Sequence, residues 1–392
     1  MSYITYKYRI YPTQEQAELI NKTIGCARFV YNTLLADCKK QYEETGKSKI
    51  KTPASLKNEY EWLKEVDSFA LCNVQLHLQT AYKNFFSKKS GFPEFHSKHK
   101  SAMTYTTNNN AGQIRIEKGK LRLPKVGLVK IVLHRFCKGT IKSVTVSKTK
   151  TNKYFVSILT EQQPTVIEKD ITQERVLGID MSFKELAVYS DGTKAKYPMY
   201  YRKSQRKLAH VQRNFSRTKV GSKRHEKARL KVAKVYEKIS NQRKDFLDKE
   251  SHRIATTYDT VVIEDINMRS LANKGIRNGK TVNDIGFGEF KQMLEYKLNR
   301  NLCQLIKADK FYPSSQLCSV CGFKNIAVKN LDVREWDCPE CNTHHDRDVN
   351  AALNLVKYYT TATVGIKARR EKVRPKDVNL NGSLSEARKI VV

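Results

Sequence analysis

The stretch THHDRDVNAALNL (343–355) starts two residues after the last of four paired cysteines and carries two aspartates, Asp346 and Asp348, ahead of an apolar run. Its reading decides the C-terminal architecture. It is either the tail of a metal module or the return of the chain into a larger core. If 346–358 is a helix, Val349, Leu353 and Val356 give it a core face. At about 100° per residue, Asp348 shares a flank of that face with Ala352 and Leu355, while Asp346 falls about 160° away. The two carboxylates therefore do not point into one site. Asp346 is placed to cap the helix's free amides. Asp348 points along a stripe where the small Ala352 leaves room for something to approach.

Just upstream, Cys318-Ser-Val-Cys321 and Cys338-Pro-Glu-Cys341 stand sixteen residues apart, a spacing typical of a four-cysteine zinc ribbon. Four thiolates close a tetrahedral shell and leave no position for substrate, so this zinc is structural. His344 and His345 have no vacancy to fill. The ribbon lies between an expected strand (305–313) and the 346–358 helix, so it reads as an insertion into an α/β domain. The other cysteines, Cys26, Cys38, Cys72, Cys137 and Cys303, are scattered among apolar neighbours and read as buried free thiols.

Two further carboxylates end apolar strands. VLGID (176–180) ends in Asp180, and TVVIED (260–265) contains Glu264. Strands often end in acids because turns begin there, but a carboxylate at a buried strand end needs solvent, a cation or a partner. With Asp348, these residues make three acids on three elements. Such a set holds two divalent ions roughly 3.5–4 Å apart for phosphodiester hydrolysis. Hard oxygen ligands suit Mg²⁺ or Mn²⁺.

The charge balance points to the same substrate. The 392 residues include 73 Lys+Arg against 39 Asp+Glu, a net +34. That field favours polyanions over small metabolites. No apolar run reaches the roughly 18 residues of a membrane span, and MSYITYKYRI lacks a signal-peptide layout. A cytoplasmic protein without a membrane partner is expected. Residues 202–249 hold 17 Lys+Arg and 4 Asp+Glu, yet Ala228, Val232, Val235, Ile239 and Phe246 leave one apolar face. A solvated helix would explain that run. Its one-signed excess suits a groove for nucleic acid, in which phosphate neutralisation dominates affinity, with Lys203, Arg206, Arg213, Arg217, Lys223 and Arg224 as examples.

Toward the N-terminus, YITYKYRIY (3–11) alternates as a strand, and Thr13 with Gln16 forms a capping box. Ile20, Ile24, Ala27, Val30, Leu34 and Cys38 then recur at helical spacing. A second helix is expected from about Ser68 to Lys88. From 103 to 160, short alternating runs separated by turns read as an antiparallel sheet or small barrel, with residues 162–172 as a linker.

With these residues assembled, the chain resembles the TnpB (OrfB) family of RNA-guided DNA endonucleases encoded by insertion sequences, related to type V CRISPR effectors. KYRIYPTQEQ, AYKNFF, GFPEFHSKHKSAMTYTT, LGID, VVIEDINM, YPSSQLCSVCG and DRDVNAALNL carry the resemblance. It implies a multidomain α/β protein. A RuvC-like (RNase H-type) nuclease domain (172–312 and 346–365) would carry an inserted zinc ribbon (313–345). An N-terminal wedge β-barrel (1–12 and 96–165) would carry an inserted helical recognition lobe (13–95), and a charged, disordered tail would occupy 366–392. The resemblance assigns Asp180, Glu264 and Asp348 as the catalytic Mg²⁺ ligands and agrees with the choice of Asp348 from helix geometry. MSFKEL follows GID where many relatives have a Gly-containing turn. The implied partners are a guide RNA from the mobile element and target double-stranded DNA beside a short motif, with one protein chain per RNA. Asn73, Thr104 and Tyr105 are candidate motif readers. A non-cleaving repressor, a strand-transfer transposase and a compact type V effector are the rival readings.

Overall fold

The computed structural model describes residues 2–98, 101–163, 174–265, 279–330 and 332–372, and the chain divides into two compact units, Met1–Val166 and Ile167–Val392. The expected linker (162–172) and tail (366–392) lie largely outside the described residues.

In the first unit, β1 (Ser2–Tyr11) is followed by α1 (Gln14–Thr45), α2 (Pro53–Glu59) and α3 (Ser68–Phe86). The capping box forms: the Gln16 amide donates to Thr13 Oγ1, and the Thr13 amide donates to Gln16 Oε1. Gly46 ends α1 with φ +68°, a left-handed conformation that glycine adopts without a Cβ penalty. Six more strands follow, β2 (Thr104–Asn108), β3 (Arg115–Glu117), β4 (Lys120–Leu123), β5 (Gly127–Val132), β6 (Thr140–Lys148) and β7 (Tyr154–Gln162). They join β1 in one antiparallel sheet of order β2-β6-β7-β1-β5-β4-β3. The three helices thus enter the chain between two strands of one sheet, and their apolar stripes share its core through Ile20, Leu34, Leu56, Leu71 and Leu78. Among the described residues no ladder joins the edge strands β2 and β3, so the sheet does not close by hydrogen bonding as a barrel would. β2 packs against α3, and β3 is only three residues long.

The second unit is built on a mixed sheet. β8 (Val176–Met181), β9 (Ala187–Tyr189) and β10 (Lys194–Ala195) run antiparallel, while β11 (Thr260–Glu264) and β12 (Gln304–Ala308) extend it in parallel, giving the order β10-β9-β8-β11-β12. Between β10 and β11 the basic stretch forms two helices, α4 (Tyr200–Ser216) and α5 (Lys223–Thr257), rather than the single helix its composition suggested. The break falls at Gly221, φ +84°, after which Ser222 Oγ caps α5 by accepting from the His225 amide at 3.1 Å. α6 (Gly279–Ile285) and α7 (Phe287–Arg300) precede β12. Buried Asp284 on α6 accepts from the Tyr201 and Arg202 amides, capping α4, whose own N-cap Met199 has no capping side chain.

After β12 come the cysteine pairs, a small hairpin of β13 (Glu335–Asp337) and β14 (His344–Asp346), and α8 (Arg347–Lys372). The face expected for this last helix was out of phase. Leu353 is exposed, and the buried side is Asn350, Ala351, Ala352, Asn354 and Leu355. Hydrophobic periodicity passed over two asparagines that bury their amides by bonding to a neighbouring loop.

Candidate functional site

β8 and β11 run parallel with Ile179 opposite Ile263, so Asp180 and Glu264 leave adjacent strand ends side by side. Ligand sites in open α/β sheets form outside such carboxyl ends. The third carboxylate arrives on α8, which can approach β8 because Gly178 has no side chain. A Cβ there would lie 1.9 Å from the Ala352 carbonyl oxygen. The room beside Ala352 is therefore filled by backbone, and this contact brings the first turn of α8, with Asp348, to the strand end. Burial pushes the Asp180 carboxyl well above the usual carboxylate range, and the neighbouring charges of Glu264 and then Asp348 push it further; Arg347 and the Met181 amide offset part of this. The structure thus brings the three sequence-selected acids together. Arg334 lies 3.8 Å from Asp348.

Asp346 is occupied elsewhere. Its Oδ1 accepts from the Asp348 and Val349 amides at 2.9 and 3.1 Å, and its Oδ2 from Lys194 at 3.1 Å. Burial opposes its ionisation, but these donors outweigh burial and hold its carboxyl below the usual range. It is the helix cap.

Among the described residues, Cys318, Cys321, Cys338 and Cys341 are the one group of three or more His, Cys, Asp or Glu side chains whose ligand atoms all lie within 4.8 Å of one another. The Sγ separations of 3.6 Å for Cys318–Cys341 and Cys321–Cys338 approach the roughly 3.8 Å edge of a tetrahedron with Zn–S bonds of about 2.3 Å. Each pair sits on a knuckle. The Gly322 amide donates to the Cys318 carbonyl and the Asn342 amide to the Cys338 carbonyl, both with positive φ. Asparagine tolerates that region better than other side chains. His345 is buried against Trp336 with its Nε2 3.1 Å from Cys318 Sγ, outside the thiolate set. The three carboxylates do not meet the same distance limit. Donors shared between two ions span a wider site than a single-ion shell.

The six basic residues singled out in the sequence all lie exposed on the α4–α5 hairpin. Arg217 and Arg224 line a cleft of about 720 Å³ at its turn. Lys219, Lys227 and Lys231 line it too, and sequence reasoning did not separate them from the rest of the charge run. No acid lines this cleft. In the first unit, two of the three candidate motif readers are withdrawn from solvent. Asn73 is 7% exposed and its amide donates to the Phe69 carbonyl at 2.9 Å, while Tyr105 is 4% exposed within the core. Asn73 sits on the inward face of α3, and Tyr105 follows the inward alternation of β2, which sends Thr104 outward. Thr104 lines a cleft of about 260 Å³ with Arg28, Tyr31, His77 and His96. Tyr31 and His96 stack there at 3.9 Å with planes 3° apart. The HSKH run was the signal for this pair, and sequence reasoning did not use it.

Comparison with known proteins accords with this arrangement. Three family models match: "Helix-turn-helix domain" at residues 1–47, "Probable transposase" of the OrfB_IS605 type at 157–274, and "Cas12f1-like, TNB domain" at 287–355. A relative from Streptomyces pristinaespiralis, named "Putative RNA-guided DNA endonuclease", is 36% identical across 94% of this chain and 93% of its own. The chain belongs to the TnpB (OrfB) family. InsQ of Escherichia coli K12 carries the same description at 28% identity, covering 90% of this chain and 91% of its own. The TnpB-like protein L79 of Acanthamoeba polyphaga mimivirus is 22% identical over 90% of this chain and 72% of its own. A solved Cas12f1–sgRNA–target DNA complex shares the fold with a TM-score of 0.55 at 17% identity, over 88% of this chain and 83% of that one. Within 1–47 the structure forms β1 and the single helix α1 rather than a helix-turn-helix. Among the described residues no helix is long and apolar enough to cross a membrane.

Proposed function

We propose that this protein is an RNA-guided DNA endonuclease that hydrolyses target double-stranded DNA beside a short recognition motif, with Asp180, Glu264 and Asp348 as its catalytic residues. The observation that carries the reading is the convergence on Asp180: a carboxyl pushed toward its neutral form by burial and by two further carboxylates. That arrangement stabilises a bound cation. The donors are all oxygen, which fits Mg²⁺ or Mn²⁺. Two such ions would be held by the three carboxylates and would supply an activated water and charge stabilisation at the leaving oxygen. The chain's own part is to fix those oxygens on two strand ends and one helix start. The four thiolates would hold one structural Zn²⁺.

Sequence selection would come from pairing between a guide RNA of the mobile element and the target strand, while the protein grips backbone. The cationic α4–α5 hairpin suits phosphate contact, with Lys203, Arg206, Arg213, Arg217, Lys223 and Arg224 exposed. We assign the sheet of the first unit to the wedge and α1–α3 to the recognition lobe. Residues 172–312 and 346–365 then form the RuvC-like nuclease domain, with the ribbon at 313–345. In the first unit exposed Thr104, in the cleft that Tyr105 also lines, is better placed than buried Asn73 or Tyr105 to meet DNA. One chain per RNA is the expected assembly, measurable by mass photometry.

The test is cleavage by the purified complex with its native RNA, Mg²⁺ and a matched target. Wild type should cut, and Asp180→Ala should lose at least about 10³-fold, the scale of removing one member of a catalytic unit. Equal activity in the two would overturn the assignment. Binding without cutting by wild type would favour a repressor.

A further inference from the structure

We infer that Ser314 is a positioning residue for Glu264, and that Asn350 and Asn354 tie this support to the four-cysteine cluster. The inference rests on the reading of Asp180, Glu264 and Asp348 as divalent-ion ligands. Glu264 lies in register with Ala308 at the end of β12. The chain then leaves the sheet, turns at Pro313 and folds back so that the Ser314 hydroxyl donates to Glu264 Oε1. Ser314 is buried, so this hydroxyl does not exchange its partner freely with water. A carboxylate with one oxygen held in this way can turn only its remaining lone pairs toward a cation.

The loop bearing Ser314 has no regular structure of its own and is held by two side chains of α8. Asn354 Nδ2 donates to the Ser314 carbonyl at 2.8 Å and to the Leu317 carbonyl at 2.6 Å. One turn earlier, Asn350 Nδ2 donates to the Leu317 carbonyl at 2.7 Å, and its Oδ1 accepts from the Ser319 amide at 2.8 Å. Both asparagines are almost fully buried, at 1% and 2% exposure. Leu317 and Ser319 flank Cys318, the first thiol of the cluster. Asn350 therefore grips the cysteine knuckle from both sides, on the helix that also carries Asp348 and packs Ala352 against Gly178 below Asp180.

All three acids thus connect to one hydrogen-bonded frame: Glu264 through Ser314, Asp348 through α8, and Asp180 through the Gly178 contact. Closing the thiolate cluster fixes the Cys318 knuckle and, through it, the loop that orients Glu264. The same four cysteines that stabilise the ribbon also set the geometry of the acid site. Side chains that orient metal ligands typically change metal affinity or activity by about 10- to 100-fold when removed.

The experiment measures Mn²⁺ binding to the protein–RNA complex by electron paramagnetic resonance, alongside zinc content by mass spectrometry and the thermal midpoint. Ser314→Ala should weaken Mn²⁺ binding by about 10-fold or more with zinc and thermal midpoint near wild type, and Ser314→Thr should restore most of it. Asn350→Ala should also weaken Mn²⁺ binding. Mn²⁺ affinity within twofold of wild type in Ser314→Ala overturns the positioning role. The same result in Asn350→Ala, whatever its zinc content, overturns the link to the cluster. Asp180→Ala separates this from failure of the underlying reading: if it binds Mn²⁺ like wild type, the acid site itself is wrongly assigned.

Discussion

The four-cysteine cluster and the three-carboxylate site are neighbours along one helix, yet they are built in opposite ways. The cluster draws its ligands from 24 consecutive residues, Cys318 to Cys341, on two knuckles that form by local backbone bonds. The acid site draws one residue from each of three elements that span positions 180 to 348, and only the completed sheet and helix bring them together. The cluster's ligands sit close enough to share one ion. Burial, and then repulsion from Glu264 and Asp348, raises the Asp180 pKa. On the proposed reading, one site would contribute to folding by binding its metal, whereas the other would be a stability cost kept for its chemistry.

That contrast breaks if the cluster is dispensable. Cys338→Ser should bring zinc from one per chain toward none by native mass spectrometry. It should also cost several kcal/mol in the ribbon, since structural zinc binding is folding free energy. Unchanged zinc stoichiometry would remove the cluster's assigned role. The acid site depends instead on close approach. Gly178→Ala places a methyl group against the Ala352 carbonyl and should cost about 3 kcal/mol, at the upper end of overpacking effects, seen as a lower denaturant midpoint. A neutral effect would mean that α8 is free to move away from β8.

Legibility in the sequence follows the same division. The CSVCG and CPEC spacings determined the cluster without any fold, because ligand spacing is itself the local structure. LGID and VVIED gave the strand ends, and the two-residue offset between Asp346 and Asp348 sent the two carboxylates to different sides of the helix by geometry alone. Asn350 and Asn354 were passed over because a buried amide bonded to a distant carbonyl looks like a polar, outward residue in any periodicity. The same blindness, with its sign reversed, made Asn73 and Tyr105 look available for DNA. A polar side chain says nothing in sequence about which way it faces. Gly178 was legible as a glycine before an acid, but its reason, a helix backbone within reach, lies 174 residues downstream at Ala352.

A pH series sharpens the electrostatic half of the comparison. The Asp180 pKa in the folded chain lies above that of an unfolded aspartate. Between the two values the folded state holds a proton that the unfolded chain has released, so stability present below the unfolded pKa is lost as pH rises through the folded one. Metal-free Asp180→Asn should therefore melt above wild type at pH 7–8, with the gap closing in acid and on adding Mg²⁺ to wild type. A lower midpoint for the variant at every pH would place Asp180 among stabilising residues.

The smallest effect is the most discriminating. Asp346→Ala removes a cap that accepts from two amides and from Lys194, and losing such a cap costs about 1 kcal/mol. The helix beyond it remains fixed by Asn350, Asn354 and the Ala352–Gly178 contact, none of which needs the cap. Cleavage should therefore fall by less than about tenfold, the factor that 1.36 kcal/mol represents, while thermal stability drops measurably. Asp348→Ala, two residues on, should show the reverse: near-normal melting and no cutting. If the two variants exchange these phenotypes, the acid site is Asp180, Glu264 and Asp346, and the cap geometry belongs to a resting arrangement that substrate undoes.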